Sequence, residues 1–328
     1  SVGALNQLWV YSAETPTTPT TVNIQGEDPR ALATDGSKVY AAIFESGNRT
    51  TVIKTATVSA TINPYPGDPN PPPNSGTGFN PPLAPGLPTP PAVSLIVKRM
   101  PDNTLRDDNN GNWTGAILSN QHDNDVVVID ADTLAVQTPA KGLMNANMAI
   151  ALRSLGAGAN EVTVVGTDAT NLIRFEPNLK STFVRVNMGS FNTASPTTPS
   201  VVDLNPHLTY AVRSIPQAQR DESLGDPRGI AWNPAGTVGY VTGMGSNNLV
   251  AIAPGEGPTG VVYDEIRDRL YVLNRFESSL SVVGVSPLAE LSRIPFMDPS
   301  PTSVKQGRKF LYDTHLTSGL GQASCASC

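Results

Sequence analysis

The chain has 328 residues, which is enough to bury a large core but more than a single core usually holds unless the fold is built from repeats. Only 15% of the residues are charged and the net charge is -6, so the chain offers no basic face to nucleic acid or to an anionic membrane surface. Nucleic acid is therefore not expected as a partner. The 30 Pro and 28 Gly residues are typical of short strands joined by many turns.

The sequence shows no targeting or membrane-spanning segment. No run of about 18 apolar residues occurs, so no transmembrane segment is expected. The amino end lacks the basic-then-apolar pattern of a signal peptide, and we interpret Ser1 as a mature or trimmed start. The only two cysteines, Cys325 and Cys328, lie at the carboxyl end, so no disulfide can cross-link the body of the protein.

Near the amino end, residues 8–12 (LWVYS) predict one strand with no inner strands before it. Downstream, one repeated pattern is anchored at four prolines: Pro29, Pro227, Pro258 and Pro301. Each repeat has a Pro turn, a short apolar strand, a polar turn and a β-rich strand, and a third strand follows a second polar turn. The first strands are predicted at 31–33, 229–232 and 260–263, the second at 39–43, 238–242 and 270–274, and the third at 249–252 and 280–283.

This meander is the unit from which propeller blades are built, and because one meander cannot bury both faces, blades must stack. Weaker copies at 115–130 and 161–175 predict the middle and third strands of two further blades, which raises the count to at least six. We predict an all-β propeller of four-stranded antiparallel blades, seven in number, with six or eight as alternatives. We predict that the amino-terminal strand pairs with the inner strands after Pro301 in the last blade, which closes the ring and leaves no open edge.

One spacing departs from the repeat. Pro227 and Pro258 are 31 positions apart, whereas Pro258 and Pro301 are 43 apart, so about one strand is missing. Either that blade has lost its outer strand, or residues are absent from the sequence between Ile252 and Gly255. We prefer the second interpretation.

Two inserts interrupt the repeats. Residues 63–91 are so rich in proline that they cannot form a strand ladder, and they predict a polyproline II excursion. This insert is interpreted as a surface loop or linker, and the alternative is a contact surface for self-assembly. The second insert, at 102–113, places several oxygen-bearing side chains near a glycine, which suits either a Ca²⁺ site or an Asx-rich turn without metal. The candidate ligands are Asp107, Asp108, Asn110 and Asn112.

Three stretches carry a family resemblance: 239–242 (GYVT), 270–274 (LYVLN) and 127–130 (VVID). They resemble the repeats of the YVTN family of bacterial surface and periplasmic propellers. The resemblance implies a propeller fold and a periplasmic, cell-surface or extracellular location. It says little about function, because one fold hosts many functions.

The strongest chemical signal is the Cys-x-x-Cys pair formed by Cys325 and Cys328. In c-type cytochromes two such thiols bond to the haem vinyl groups, and a histidine directly after the second cysteine ligates the iron. That next position lies outside this sequence. A redox dithiol, half of a zinc site and an inert or disulfide-bonded pair are the alternatives. A redox dithiol calls for a βαβ setting and a zinc site for a second such pair, and neither is present.

The stretch 307–328 (GRKFLYDTHLTSGLGQASCASC) is similar to the first haem segment of di-haem cytochrome c peroxidases. The resemblance implies haem c on Cys325 and Cys328, conditional on a histidine after Cys328. It also implies that downstream sequence could carry a second haem and peroxidase-like chemistry. We expect the three histidines, His122, His207 and His315, to be structural or solvent-facing.

These observations predict a propeller at 1–306, with the Pro-rich insert at 63–91, followed at 307–328 by a last-blade strand and the start of a truncated c-type cytochrome domain. The leading hypothesis is an exported scaffold and docking module that serves electron transfer with a cytochrome domain or redox partner protein. The alternatives are a surface or filament-forming propeller without haem, and a lactonase-like propeller hydrolase with a channel metal. No nucleophile elbow, phosphate loop or metal-spaced histidine pair occurs, so the propeller itself is not expected to be an enzyme.

Overall fold

Strands dominate the computed structural model, which describes residues 1–53, 96–107, 110–119, 121–156, 160–170, 184–210, 212, 214–249 and 255–327. The strands are β1 (Gln7–Val10), β2 (Thr20–Asn23), β3 (Glu27–Thr34), β4 (Lys38–Glu45), β5 (Thr50–Val52), β6 (Ile96–Arg99), β7 (Leu105–Arg106), β8 (Val126–Asp130), β9 (Ala146–Ser154), β10 (Asn160–Ala169), β11 (Val184–Asn192), β12 (Ser195–Asp203), β13 (Pro227–Trp232), β14 (Gly239–Gly243), β15 (Asn248–Leu249), β16 (Pro258–Asp264), β17 (Arg269–Asn274), β18 (Ser279–Val285) and β19 (Leu288–Pro295). The helices are α1 (Gln217–Arg220), α2 (Thr302–Tyr312) and α3 (Thr314–Thr317).

Four antiparallel sheets in this part of the chain have the strand order of a propeller blade. Blade I is β3-β4-β8, blade II is β9 to β12, blade III is β13-β14-β15 and blade IV is β16 to β19. The predicted strands of the Pro29, Pro227 and Pro258 repeats fall inside these blades wherever the structure describes them. The all-β class and the antiparallel blade are therefore confirmed.

Each repeat begins with the same backbone feature at the start of its inner strand. The residue before the proline has a positive φ, namely 58° at Asp28, 50° at Asp226 and 64° at Gly257. The ladder register then shifts directly after each proline, as in a β-bulge. Proline is tolerated there because a bulge leaves one amide out of the ladder. The repeated proline therefore does not precede the inner strand but lies in it, as the first residue of β13 and β16 and the third residue of β3.

Blades I and II pack face to face through apolar side chains. Tyr40 and Val128 of blade I meet Val164 and Phe191 of blade II in one buried cluster. The rings of Tyr40 and Phe191 contact edge to face, with centroids 6.2 Å apart and an interplanar angle of 61°. Burial of apolar side chains is the main contribution to the stability of the folded state, since each fully buried one adds about 1.5–3 kcal/mol to the free energy of unfolding.

The same face-to-face packing continues along the chain. Blades II and III share a cluster that includes Val165, Val186, Ile230 and Val241. Blades III and IV share a cluster that includes Tyr240, Leu249, Leu270 and Val283. The blades thus stack in chain order. Blades II and III each have both faces covered by a neighbouring blade, as in a propeller.

The described residues contain fewer blades than the seven predicted, and one reason lies in blade I. Strand β8, from the weak copy at 115–130, pairs with β4 and is the third strand of blade I. The chain between β4 and β8 is an insertion within that blade, and it includes a small sheet of β5, β6 and β7. The prediction that 115–130 belongs to a blade of its own was therefore wrong.

The amino-terminal strand pairs with its neighbour in sequence. β1 and β2 form a two-stranded hairpin, with Leu8 opposite Val22. These two side chains pack on Ile43 and Ile129, so the hairpin covers the outer face of blade I. Among the described residues no pairing joins β1 to the last blade.

The predicted last-blade strand after Pro301 is wrong, because Thr302–Tyr312 form helix α2. Blade IV already has its fourth strand, since β19 pairs with β18, and no strand position is left for this segment. The helix is held on the blade by Tyr312, whose ring centroid lies 4.7 Å from that of Phe276, and by Arg308, which donates a hydrogen bond to the Phe276 carbonyl. The predicted boundary at 306/307 falls inside this helix.

Several predictions fall on residues outside the described ones, among them the Pro-rich insert at 63–91, residues 171–175 of the weak copy at 161–175, and the interval between Ile252 and Gly255. A search of the described helices found none that combines the length and apolar character needed to cross a bilayer.

Candidate functional site

Cys325 is the first residue of a short 3-10 turn, Cys325–Ser327. The turn is closed by two hydrogen bonds between Ser324 and Ser327: the Ser327 amide donates to the Ser324 carbonyl at 3.0 Å, and the Ser324 amide donates to the Ser327 hydroxyl at 2.9 Å. Cys325 has a free and exposed thiol. Cys328 lies outside the described residues.

The segment that leads to this turn is hydrogen-bonded to blade II and to the chain segment that precedes blade III. The Ile215 amide donates to the Gly319 carbonyl at 2.9 Å, and the Ser223 hydroxyl donates to the Leu320 carbonyl at 2.8 Å. The buried amide of Gln322 donates to the Val184 carbonyl at 2.8 Å. The cysteine turn therefore has a defined position on the propeller.

Two of the three histidines are occupied by structural contacts on the same segment of blade III. The Nε2 atom of His315 lies 2.8 Å from the Ser223 carbonyl oxygen, and its Nδ1 atom lies 3.9 Å from Asp221. The Nε2 atom of His207 lies 3.3 Å from the Ser223 hydroxyl. His315 thus packs before the first strand of blade III and not on the last blade.

A cavity of 1270 Å³ lies beside the cysteine turn, and Ala326 and Ser327 form part of its wall. The rest of the wall comes from the ends of strands in blades I and II, from the insertion in blade I, from residues 6 and 24–26 beside the amino-terminal hairpin, and from Arg228 of blade III. His122 also lines it. Its volume exceeds the range of about 300–1,000 Å³ that is typical of small-molecule sites.

Arg228 is held at the cavity by a nearly fully buried carboxylate. Its Nε atom lies 2.8 Å from Oδ1 of Asp226, and its Nη2 atom lies 3.2 Å from Oδ2. Burial raises the pKa of Asp226, and the charge of Arg228 opposes this effect. The first repeat has the same pair, Asp28 and Arg30, at a more exposed position.

Behind the cavity wall a buried carboxylate joins three segments. Asp125 accepts hydrogen bonds from the Ser46 hydroxyl at 2.6 Å, from the Leu143 amide at 2.7 Å and from the Asn147 side-chain amide at 3.3 Å. Burial raises the pKa of Asp125 to about 7, and the nearby charge of Asp123 acts in the same direction, whereas the hydrogen bonds act against it. The ends of β4, β8 and the loop before β9 are thereby fixed to one another.

Three of the four candidate calcium ligands are described, and the side chain of each accepts a hydrogen bond. Asp107 is buried, and its carboxylate accepts hydrogen bonds from the Trp113 indole at 2.7 Å and from the Gly111 amide at 2.8 Å. Oδ1 of Asn110 accepts from Arg106 at 3.1 Å.

Oδ1 of Asn112 accepts from the Thr114 amide at 3.0 Å, and Asp108 lies outside the described residues. Among the residues that the structure covers, no three His, Cys, Asp or Glu side chains come together as a metal site. Calcium binding stays a prediction.

The cysteine site could be predicted from the sequence, but the cavity beside it could not. Glu27, Asn145, Arg228 and Ser327 lie far apart in sequence, and only the stacking of blades brings them to one wall. One sequence feature does indicate this wall: two repeats begin with Asp-Pro-Arg, at 28–30 and 226–228, and these residues lie at the end of the inner strand that is next to the cavity.

Comparison with known proteins gives distant similarities of fold. No protein family model and no curated protein sequence matches the chain. A functionally unknown protein from Desulfotomaculum acetoxidans is 14% identical with a TM-score of 0.36, over 92% of this chain and 81% of that one. Kuenenia stuttgartiensis hydrazine synthase is 12% identical with a TM-score of 0.31, over 85% and 89%. A 6-phosphogluconolactonase candidate from Bacteroides uniformis is 13% identical with a TM-score of 0.36, over 88% and 64%.

Proposed function

We propose that this chain is an exported β-propeller that acts as a scaffold and docking module for a c-type cytochrome and serves electron transfer. The observation that carries the proposal is the position of the cysteine turn: Cys325 has a free, exposed thiol, and the next two residues line a large cavity. A thiol must be reachable to add to a haem vinyl group. In that addition sulfur bonds to one vinyl carbon and the proton goes to the other, so no oxidant is needed. Haem c, when bound, supplies a one-electron redox centre.

The described residues fit this role because they hold the attachment point rigidly. Just before the turn, the Leu320 carbonyl accepts a hydrogen bond from Ser223, in the segment that precedes blade III, and Gln322 donates one to the Val184 carbonyl of blade II. A redox group carried on Cys325 would therefore keep a fixed distance from any partner that docks on the propeller. The proposal is conditional on a histidine directly after Cys328 as the iron ligand, since His315 is already bonded to the Ser223 carbonyl.

Exposed apolar side chains next to the turn support docking by a cytochrome domain or redox partner protein. Helix α2 contacts the cysteine turn. Phe310 on this helix is 70% exposed, and Leu316 on α3 is 61% exposed. Large exposed apolar side chains grouped at one place are typical of an interaction surface. A periplasmic, cell-surface or extracellular location belongs to the same proposal.

The test is covalent haem attachment in the natural full-length protein, produced in a host that matures c-type cytochromes. We expect a Soret band and an intact mass that includes haem. The Cys325→Ser, Cys328→Ser double variant should lose both while its circular dichroism spectrum is unchanged. Ala326→Ser, which changes the same turn without removing a thiol, is the matched control and should retain haem. A colourless full-length protein with the mass of its polypeptide alone would overturn the proposal and leave a structural propeller.

A further inference from the structure

Blade IV has one sheet face that no other blade covers among the described residues. Leu270 and Val272 of β17 point toward blade III and are buried there. Because side chains alternate along a strand, Tyr271 and Leu273 point to the opposite face. The cross-strand pairing extends that face over all four strands of the blade. We call it the free face, and it consists of Val262, Tyr271, Leu273, Leu280, Val282 and Ile294.

The free face is apolar and partly open to solvent. Val262 is 58% exposed, Leu273 44% and Ile294 48%. These residues lie on β16, β17 and β19, so the exposed apolar surface crosses the whole width of the blade. A contiguous apolar surface of this kind is typical of a place where another protein surface binds.

The equivalent face is buried in the blades that are followed by another blade. Tyr40, Tyr240 and Tyr271 occupy the same place in blades I, III and IV, each in the second strand and paired with the inner strand. Tyr40 is fully buried against blade II, and Tyr240 is buried against blade IV. Tyr271 has no such neighbour and is only partly buried. The free face therefore has the character of a face that another apolar sheet covers.

The other end of the stack of blades is already covered. Leu8 and Val22 of the β1-β2 hairpin pack on Ile43 and Ile129, on the face of blade I that points away from blade II. A closed ring would stack this face of blade I on the free face of blade IV, but the hairpin occupies it. Among the blades that the structure describes, the free face is therefore the one left uncovered.

We propose that the free face binds the free face of a second copy of this chain, in a dimer with two-fold symmetry. A two-fold contact joins the same patch on both copies, so one self-complementary face is sufficient. The two joined stacks would have a β1-β2 hairpin at each outer end, and no described blade face would stay exposed. This contact does not depend on haem attachment.

The size of the free face sets the expected affinity. Strands of an antiparallel sheet are about 4.8 Å apart and rise about 3.4 Å per residue, so four strands of about seven residues cover about 450 Å². Two copies would together bury about 900 Å² or somewhat more, which is close to the lower limit of about 1,000 Å² for a specific interface. We therefore expect a reversible dimer with a micromolar Kd.

The test is sedimentation velocity of the natural full-length protein over a concentration range of about 1–100 μM, which brackets a micromolar Kd. A thiol reductant is present throughout, so that the exposed Cys325 cannot join two chains through a disulfide. We expect the mass to rise from one copy to two copies with concentration and to stop there, because a two-fold contact closes on itself.

Val262→Lys and Leu273→Lys each place a cation on both sides of the contact and should raise the Kd by at least about tenfold, because like charges brought together across an interface are costly. Both positions are exposed in the single chain, so the circular dichroism spectrum should be unchanged. The matched control is Leu32→Lys on β3 of blade I, where the side chain is 48% exposed, and it should dimerise like the parent. The proposal is overturned if the parent keeps the mass of one copy up to the highest concentration, if its mass grows beyond two copies, or if both blade IV variants dimerise as the control does.

Discussion

Replacement of the buried carboxylate behind the cavity should change how the stability of the protein depends on pH. Burial raises the pKa of Asp125 from 3.8 to about 7. The folded state therefore holds this proton up to a higher pH than the unfolded state. The stability that comes from the protonated form is fully present below pH 4 and is lost as the pH rises through 7. Each pKa unit is worth about 1.36 kcal/mol, so the loss is about 4 kcal/mol.

The assay is urea unfolding of the parent chain and of Asp125→Asn at several pH values from 4 to 8, followed by tryptophan fluorescence. Asn cannot ionise, so the stability of the parent relative to the variant should fall by about 4 kcal/mol across this range. Other titrating groups contribute to both proteins and cancel in the difference. Gln137→Ala, an exposed change that removes no ionisable group, should give a difference that does not vary with pH. A constant difference for Asp125→Asn as well would refute the reasoning.

Two further predictions concern unfolding free energies measured by chemical denaturation. Arg228→Ala leaves the carboxylate of Asp226 buried and unpaired and should cost about 3–5 kcal/mol, whereas Arg30→Ala, in the more exposed copy of the same motif, should cost about 1 kcal/mol or less. Equal costs would contradict the role of burial. Phe191→Ala removes a ring that packs on Tyr40 between blades I and II and should cost about 3–5 kcal/mol. Phe310→Ala, at a 70% exposed position, should change stability by less than about 0.5 kcal/mol, and a large effect there would show that α2 is packed differently.

The strands of the strong repeats could be predicted from sequence because their signals are local. In the Pro258 repeat, the predicted strands at 260–263, 270–274 and 280–283 lie inside β16, β17 and β18. Alternating apolar side chains and polar turns act over a few residues, so no distant contact is needed to recognise them. The position of the candidate haem attachment was likewise readable, because the spacing of Cys325 and Cys328 is itself the signal.

Other features depended on contacts that the sequence pattern does not contain. The strand at 126–130 looks like part of a separate copy, but it pairs with β4 across a long insertion, so its blade is set by a distant partner. Residues 302–312 contain the short apolar run Phe310–Tyr312, which is ambiguous between strand and helix. In the structure this segment is a helix. Strand β19 already occupies the outer position of blade IV, and the helix packs on the blade through the contact between Tyr312 and Phe276.

The sequence by itself determined the blade pattern, the all-β class and the presence of a Cys-x-x-Cys pair, because each is expressed within a few consecutive residues. Only the tertiary structure decided which strands share a blade, where the cysteine turn lies, and that Glu27, Arg49, Lys141 and Ser327 surround one cavity. The physical reason is that a cavity wall is made by the ends of stacked sheets. The packing of the apolar sheet faces determines which residues line the cavity. These residues have no regular spacing along the chain, so a sequence pattern cannot identify them.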